Sequence, residues 1–148
     1  MCGIVGGIAQ RNVAPLLLEG LKRLEYRGYD SAGIAVVAKN GDLARERPAG
    51  KVARLEELIN ASGLDGTIGI GHTRWATHGK PSTYNAHPHI CRERVAIVHN
   101  GIIENHETLR KLQKTHEHHF TSDTDTEVIV HAIYDQLAAG QDLLSAVQ

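Results

Sequence analysis

A strand that begins at the third residue is the strongest constraint this chain places on its own folding. Gly3-Ile-Val-Gly-Gly-Ile-Ala is short, apolar and punctuated by glycine, the pattern of a buried strand starting almost at the terminus. Beyond it Asn12 is a plausible helix cap and Pro15 still fits a first turn. Leu17, Leu18, Leu21 and Leu24 then recur at helical spacing, and that helix should end near Tyr26-Arg27-Gly28. Ser31-Ala-Gly33 leads into a strand over 34–37, and Asn40-Gly41 reads as a hairpin turn into a second strand from Leu43 to Arg47. Lys51 to Ala61 has one apolar face, with Gly63 just past its end, as a helix would.

Strands are expected at Thr67–His72 and Val95–Val98, and helices at Glu104–Lys114, at Thr126–Ala139 and from Asp142 onward. Between the two strands, residues 73–94 hold prolines, Asn85 and three histidines with no clear period, and long irregular segments of compact domains are often functional. Strands and helices thus arrive in pairs, which favours a layered α/β or α+β sandwich.

The 148 residues suit one domain. With 41% hydrophobic and 22% charged residues the chain reads as a globular protein rather than a disordered one. A formal net charge of −1 supplies no global field for nucleic acid or a membrane surface, so neither is expected as a partner. No apolar run nears the roughly 20 residues of a membrane-spanning helix, and there is no basic-then-apolar leader. Cys2 and Cys91 do not make a disulfide framework, and a cytoplasmic location is expected.

Four segments carry candidate chemistry. Met1-Cys2 offers, once Met1 is trimmed, a thiol and a free α-amine on one residue, with reference pKa values of about 8.5 and 7.7–8.0. A nucleophile whose base is the chain terminus is a recognised solution for amide cleavage. Alone, however, the dipeptide is an ordinary start. His99-Asn100-Gly101 ends an apolar strand and presents a side-chain amide and a backbone N–H on one tight turn, the two donors of an oxyanion hole, although Asn-Gly turns are common. His72-Thr-Arg74-Trp-Ala-Thr-His-Gly79 brings a guanidinium suited to a carboxylate, beside a hydroxyl and an imidazole. Ser122-Asp-Thr-Asp-Thr-Glu127 places acids before a helix, where Asp and Thr are also ordinary caps. A free amino acid needs a cation for its carboxylate and an anion for its ammonium. Arg74 and one of Asp123 or Asp125 could supply them.

Together, Cys2-Gly-Ile-Val-Gly, Tyr26-Arg-Gly-Tyr-Asp-Ser-Ala-Gly33, the Arg74 segment, Asn85-Ala-His-Pro-His89, His99-Asn-Gly-Ile-Ile-Glu-Asn-His106 and Thr124-Asp-Thr-Glu127 resemble the glutaminase domain of the glutamine–fructose-6-phosphate aminotransferase family. The resemblance runs the length of the chain. It implies an α+β fold, the four-layer αββα sandwich of N-terminal nucleophile (Ntn) hydrolases and class II glutamine amidotransferases, with two antiparallel sheets between helical layers. It implies hydrolysis of L-glutamine by Cys2, an oxyanion held by Asn100 and Gly101, a glutamine carboxylate bound by Arg74, Thr77 and His78, and an ammonium bound by Asp125. Trp75 matches a residue that gates ammonia, while Arg27 and His87 match positions near the site without a specified role. No cofactor and no metal are implied. Residues 1–148 would be a glutaminase domain shortened at its C-terminal end, lacking the sugar isomerase domain. Fructose 6-phosphate would be handled only by a full-length enzyme, itself expected to be a homo-oligomer, whose product is glucosamine 6-phosphate.

The nearest alternative is the glutaminase domain of another class II amidotransferase, phosphoribosyl-transferring, asparagine-forming or glutamate-forming. From a different class comes a histidine-rich metal module, prompted by ten histidines and by His87-Pro-His89 and His116-Glu-His118-His119. Against it stand the lack of a His-Glu-x-x-His helix, of a Cys-x-x-Cys pair, and of a carboxylate placed to complete a zinc site. Cys91 is expected to be a bystander and His116, His118 and His119 to be solvated.

Overall fold

The computed structural model describes residues 2–27, 30–75 and 81–148, without the side chain of Arg27. Strand β1 (Gly3–Ile8) is followed by α1 (Ala14–Leu24), β2 (Ser31–Val37), β3 (Leu43–Glu46), α2 (Val52–Ser62) and β4 (Ile68–Arg74). Then come β5 (His89–Cys91), β6 (Val95–Ile97), α3 (His106–Thr115), α4 (Glu127–Ala138) and α5 (Leu143–Val147). No helix among the described residues is long and apolar enough to cross a membrane.

The first layer is an antiparallel sheet in the order β1-β4-β2-β3, so β4 joins the chain's first strand to its second. Leu17, Leu18 and Leu21 of α1 and Val52, Leu55 and Ile59 of α2 pack with Ile34 and Val36 of β2 into one apolar cluster. These α1 residues lie on one face because i, i+1 and i+4 neighbours share a side of a 3.6-residue helix. At its C-terminus α2 stops at Gly63, left-handed at φ 67°, whose N–H bonds back to the Ile59 carbonyl. At its N-terminus the Val52 N–H donates to Glu25 Oε1 at 2.9 Å. Asn12 works one step earlier than expected: Val13 takes the cap position, while Asn12 Oδ1 accepts from the Ala14 and Gly66 N–H groups.

A second layer holds the antiparallel β5–β6 pair, covered by α4. Cys91, Val95, Val130 and Ile133 form its own apolar cluster. Strand β2 is buried along six of its seven residues because helices cover one face and the second layer the other. Edge strand β1 instead alternates inward positions, buried at Gly3 and half-buried at Val5 and Gly7, with exposed ones. The β5–β6 pair corrects the expectation of an irregular stretch over residues 73–94. Its loop is Arg92-Glu93-Arg94, with Arg92 and Glu93 at φ of 46° and 56° and the Arg94 N–H donating to the Cys91 carbonyl at 3.0 Å. Positive φ at two successive turn residues is the conformation that Asn-Gly normally announces. Here two ordinary side chains adopt it, and strands of three residues have no readable alternation.

The layers touch most closely at Gly33. A Cβ there would lie 2.0 Å from the His87 carbonyl oxygen and 2.7 Å from Arg47 Cβ. Arg45 Nη1 donates to the Pro88 carbonyl at 3.0 Å and Arg47 Nη1 to that of Ala86 at 2.6 Å, holding the same segment down. Two antiparallel sheets in separate layers, flanked by helices, make this an α+β sandwich, the architecture that the resemblance implies. Gly33→Ala should therefore destabilise the fold by about 1–3 kcal/mol, the usual cost of overpacking. Gly6→Ala, whose Cβ would meet nothing nearer than 4.0 Å, should be close to neutral. Urea unfolding of the two variants checks the contrast.

Candidate functional site

Pairing of β1 with β4 sets Gly3 opposite Thr73, so Cys2 falls beside the end of β4. The Gly3 N–H donates to Thr73 Oγ1 at 3.1 Å, and the Trp75 N–H points at Cys2 Sγ at 3.3 Å. From the second layer, the turn after β6 brings His99, Asn100 and Gly101. The segment ahead of α4 brings Thr124, Asp125 and Thr126. These residues line one recess with Cys2, Arg74, Trp75 and His87, about 310 Å³ including its open mouth.

Most of the residues expected from the sequence thus meet in one place: Cys2, Arg74, Trp75, His87, Asn100, Gly101 and Asp125. Thr77, His78 and the side chain of Arg27 lie outside the described residues. Arg74 is buried, with Nη1 3.6 Å from Asp30 Oδ1. Asp125 is buried too, and its Oδ2 accepts from the Ile103 N–H at 2.7 Å. Asp123 is exposed and lies off the recess, so of the two acids only Asp125 faces it. Asn100 and Gly101 are exposed at the mouth, as is Trp75.

The sequence reading gave no role to three further lining residues, His99, Thr124 and Thr126. His99 Nδ1 and Thr126 Oγ1 lie 3.1 Å apart, tying the Asn100 turn to the Asp125 segment. Their signal in the sequence was only their position next to Asn100 and Asp125. The segment is braced from behind. Glu127 accepts from the Thr121 and Ser122 N–H groups, each at 2.8 Å. Arg110 donates to the Ser122 and Thr124 carbonyls at 2.9 and 2.7 Å.

Beneath the recess His72 stacks on His87, with ring centroids 4.3 Å apart, and His89 meets His87 edge-on at 4.5 Å. All three are at most 5% exposed. Burial, followed by the Arg74 and His99 charges, lowers His72 to about 4. Burial and the neighbouring rings push His87 lower still, and burial with the Arg47 and Arg45 charges holds His89 well below its ordinary value. The floor of the recess is therefore uncharged at neutral pH.

Two sequence expectations fail elsewhere. Cys91 is no bystander in packing: it is buried, with Sγ 3.1 Å from His131 Nδ1 and 3.8 Å from His118 Nδ1. His118 is likewise 5% exposed, because the turn after α3 aims it inward, whereas His116 and His119 are exposed as expected.

The glutamine amidotransferase domain family matches residues 60–148, and the chain belongs to that family. Its relatives narrow the resemblance. Glutamine–fructose-6-phosphate aminotransferase (isomerizing) of Shewanella oneidensis is 60% identical over all 148 residues, and so is that of Pseudomonas aeruginosa. The Vibrio cholerae protein of the same name is 56% identical. The chain covers 24% of the length of each of these relatives. Among solved structures, the Bacillus subtilis glutamine phosphoribosylpyrophosphate amidotransferase complexed with ADP and GMP superimposes with a TM-score of 0.73 at 26% identity. That match covers 99% of this chain and 31% of the other.

The histidine floor sets a pH dependence. Between pH 6.5 and about 4 the unfolded chain binds protons at these rings that the native chain does not. Stability should therefore be full above pH 7 and fall on acidification, by about 1.4 kcal/mol per pH unit for each ring involved. Denaturant unfolding at pH 7, 6 and 5 should show the midpoint dropping. A flat profile would mean that the rings are protonated in the fold.

Proposed function

We propose that this chain is a glutaminase domain, residues 1–148, which hydrolyses the side-chain amide of L-glutamine with Cys2 as nucleophile. The observation that carries the reading is the convergence of Cys2, Asn100, Gly101, Arg74 and Asp125, from four separate segments, on one recess.

Removal of Met1 frees the Cys2 α-amine. The unprotonated amine takes the thiol proton, directly or through a water, and Sγ attacks the amide carbon. The carbonyl oxygen becomes an oxyanion facing the Asn100 side-chain amide and the Gly101 N–H. Collapse breaks the C–N bond, and the α-ammonium returns its proton so that ammonia leaves and a thioester remains. Water attacks the thioester with the amine again as base, which releases glutamate and restores the thiol. Arg74, with Thr77 and His78, holds the substrate carboxylate, and Asp125 holds its ammonium. The Ile103 N–H fixes Asp125 Oδ2, and Oδ1, which accepts from Thr126 Oγ1 at 3.5 Å, is the oxygen proposed for that ammonium. Trp75, whose backbone N–H contacts Cys2 Sγ and whose ring is exposed at the mouth, is the proposed gate for departing ammonia. His87 supports the recess from below, and Arg27 is assigned near it.

In the longer protein the ammonia converts fructose 6-phosphate to glucosamine 6-phosphate, a step of hexosamine biosynthesis. The acceptor site would then lie in a sugar isomerase domain outside this chain. Such an enzyme would be cytoplasmic and homo-oligomeric. Identity of 60% to the sugar-phosphate enzymes against 26% to the phosphoribosyl-transferring one favours this acceptor.

Intact mass after exposure to 6-diazo-5-oxo-norleucine tests the nucleophile. A chain lacking Met1 should gain one adduct, and Cys2→Ala should gain none. Asn100→Ala should lower the kcat for glutamate release about 10²–10³-fold, the usual loss for one oxyanion donor. An adduct that persists in Cys2→Ala would sink the assignment.

A further inference from the structure

Away from the recess, Cys91, His118 and His131 form a cluster whose three ligand atoms all lie within 4.8 Å of one another. The residues come from three elements: the end of β5, the turn after α3, and the middle of α4. All three are at most 5% exposed. From these positions we infer that Cys91 Sγ, His118 Nδ1 and His131 Nδ1 form a binding site for a single zinc-class divalent cation.

The distances suit that ion. Tetrahedral zinc, with Zn–S near 2.3 Å and Zn–N near 2.0–2.1 Å, sets sulfur and nitrogen about 3.5 Å apart. The two Sγ–Nδ1 separations here, 3.1 and 3.8 Å, straddle that value. One thiol and two imidazoles form a soft-to-borderline set that selects zinc or cobalt over magnesium or calcium.

The surroundings orient the ligands. His118 Nε2 lies 2.7 Å from Asp135 Oδ1, so its N–H donates to a carboxylate and the Nδ1 lone pair is left towards the cluster. This is the carboxylate–histidine arrangement that supports metal-bound imidazoles. His131 Nε2 makes no such hydrogen bond among the described residues; Glu127 Oε1 lies 4.0 Å from it, a nearby charge rather than a donor–acceptor partner. Asp135 is thus the carboxylate that the linear sequence did not locate, one helical turn beyond His131 on α4. The cluster opens on a surface recess bordered by Arg92, Lys114, Glu117 and Thr121, which leaves a fourth coordination position for water.

With no cation bound, burial pushes the Cys91 thiol up to about 11 and the His131 imidazole down to about 4. The resting cluster is therefore a neutral thiol donating to a neutral ring. Binding forms one metal–sulfur and two metal–nitrogen bonds, and the thiol proton passes to solvent. A filled site ties β5, α3 and α4 together behind the segment that carries Asp125.

The test titrates Co²⁺ alone, then Zn²⁺ alone, into the purified, chelator-treated chain, with circular dichroism to confirm that each variant is folded. Wild type and Cys2→Ala should both take up one equivalent of Co²⁺ with a thiolate-to-cobalt charge-transfer band that Zn²⁺ abolishes. Cys91→Ser should lose that band, and His118→Asn should bind at least tenfold more weakly. Asp135→Asn should keep the band while losing about 10–100-fold in affinity, the usual effect of removing such a support. Saturable binding absent from the folded wild type would overturn the inference. So would a band lost in Cys2→Ala and kept in Cys91→Ser, which would move the cation to the recess.

Discussion

The antiparallel pairing of β1 with β4 is the constraint on which everything else rests. Gly3 opposite Thr73 and Ile4 opposite His72 fix where the second residue of the chain must lie. A terminal residue would ordinarily fray. Here six residues of ladder, the Thr73 hydroxyl on the Gly3 N–H and the Trp75 N–H on Cys2 Sγ hold it in place. A slip of one residue in this register would turn every β1 side chain to the opposite face and carry the thiol away from Arg74.

The recess is a seam between two apolar cores rather than a hollow in one. Leucines of α1 and α2 with β2 form the first core, and Cys91, Val95 and α4 the second. Between them lie histidines, arginines and backbone carbonyls. Arg45 and Arg47 reach across to the carbonyls of the His87 segment, and Gly33 lets that backbone descend. The seam thereby supplies what neither core offers, polar groups held rigid in partial burial. The stacked rings below stay neutral, so the local charge is set by Arg74 and Asp125.

Much of this was legible in the sequence. The strand at Gly3, the leucine face of α1, the Asn40-Gly41 turn and the Gly63 stop all obey local rules of period and conformation, and the structure follows them. The recess residues were legible as motifs, because Cys2, Arg74, Asn100 and Asp125 each stand at the end of a periodic element. The β5–β6 hairpin was not, since its turn uses Arg92 and Glu93 where glycine or asparagine would have announced it. Nor was the inward turn of His118, which depends on Glu117 adopting a φ of 61° and on Asp135 a helix away. Cys91 is separated from His131 by 40 residues, and only the packing of α4 on β5 brings them together. Such contacts belong to tertiary structure and leave no local trace.

The strand order also has a consequence for how the chain is made. Strand β1 is an edge strand made well before its sheet partner, β4, which begins at Ile68. At roughly 5–20 residues per second, β1 waits several seconds before its ladder can form. Meanwhile β2 and β3 are already able to pair as a hairpin, since β3 follows within a few residues. The central strand is thus synthesised last in its sheet and must insert between two that precede it, a non-local closure of the kind that slows folding. The thiol at the chain's beginning is consequently among the last groups to reach its final surroundings.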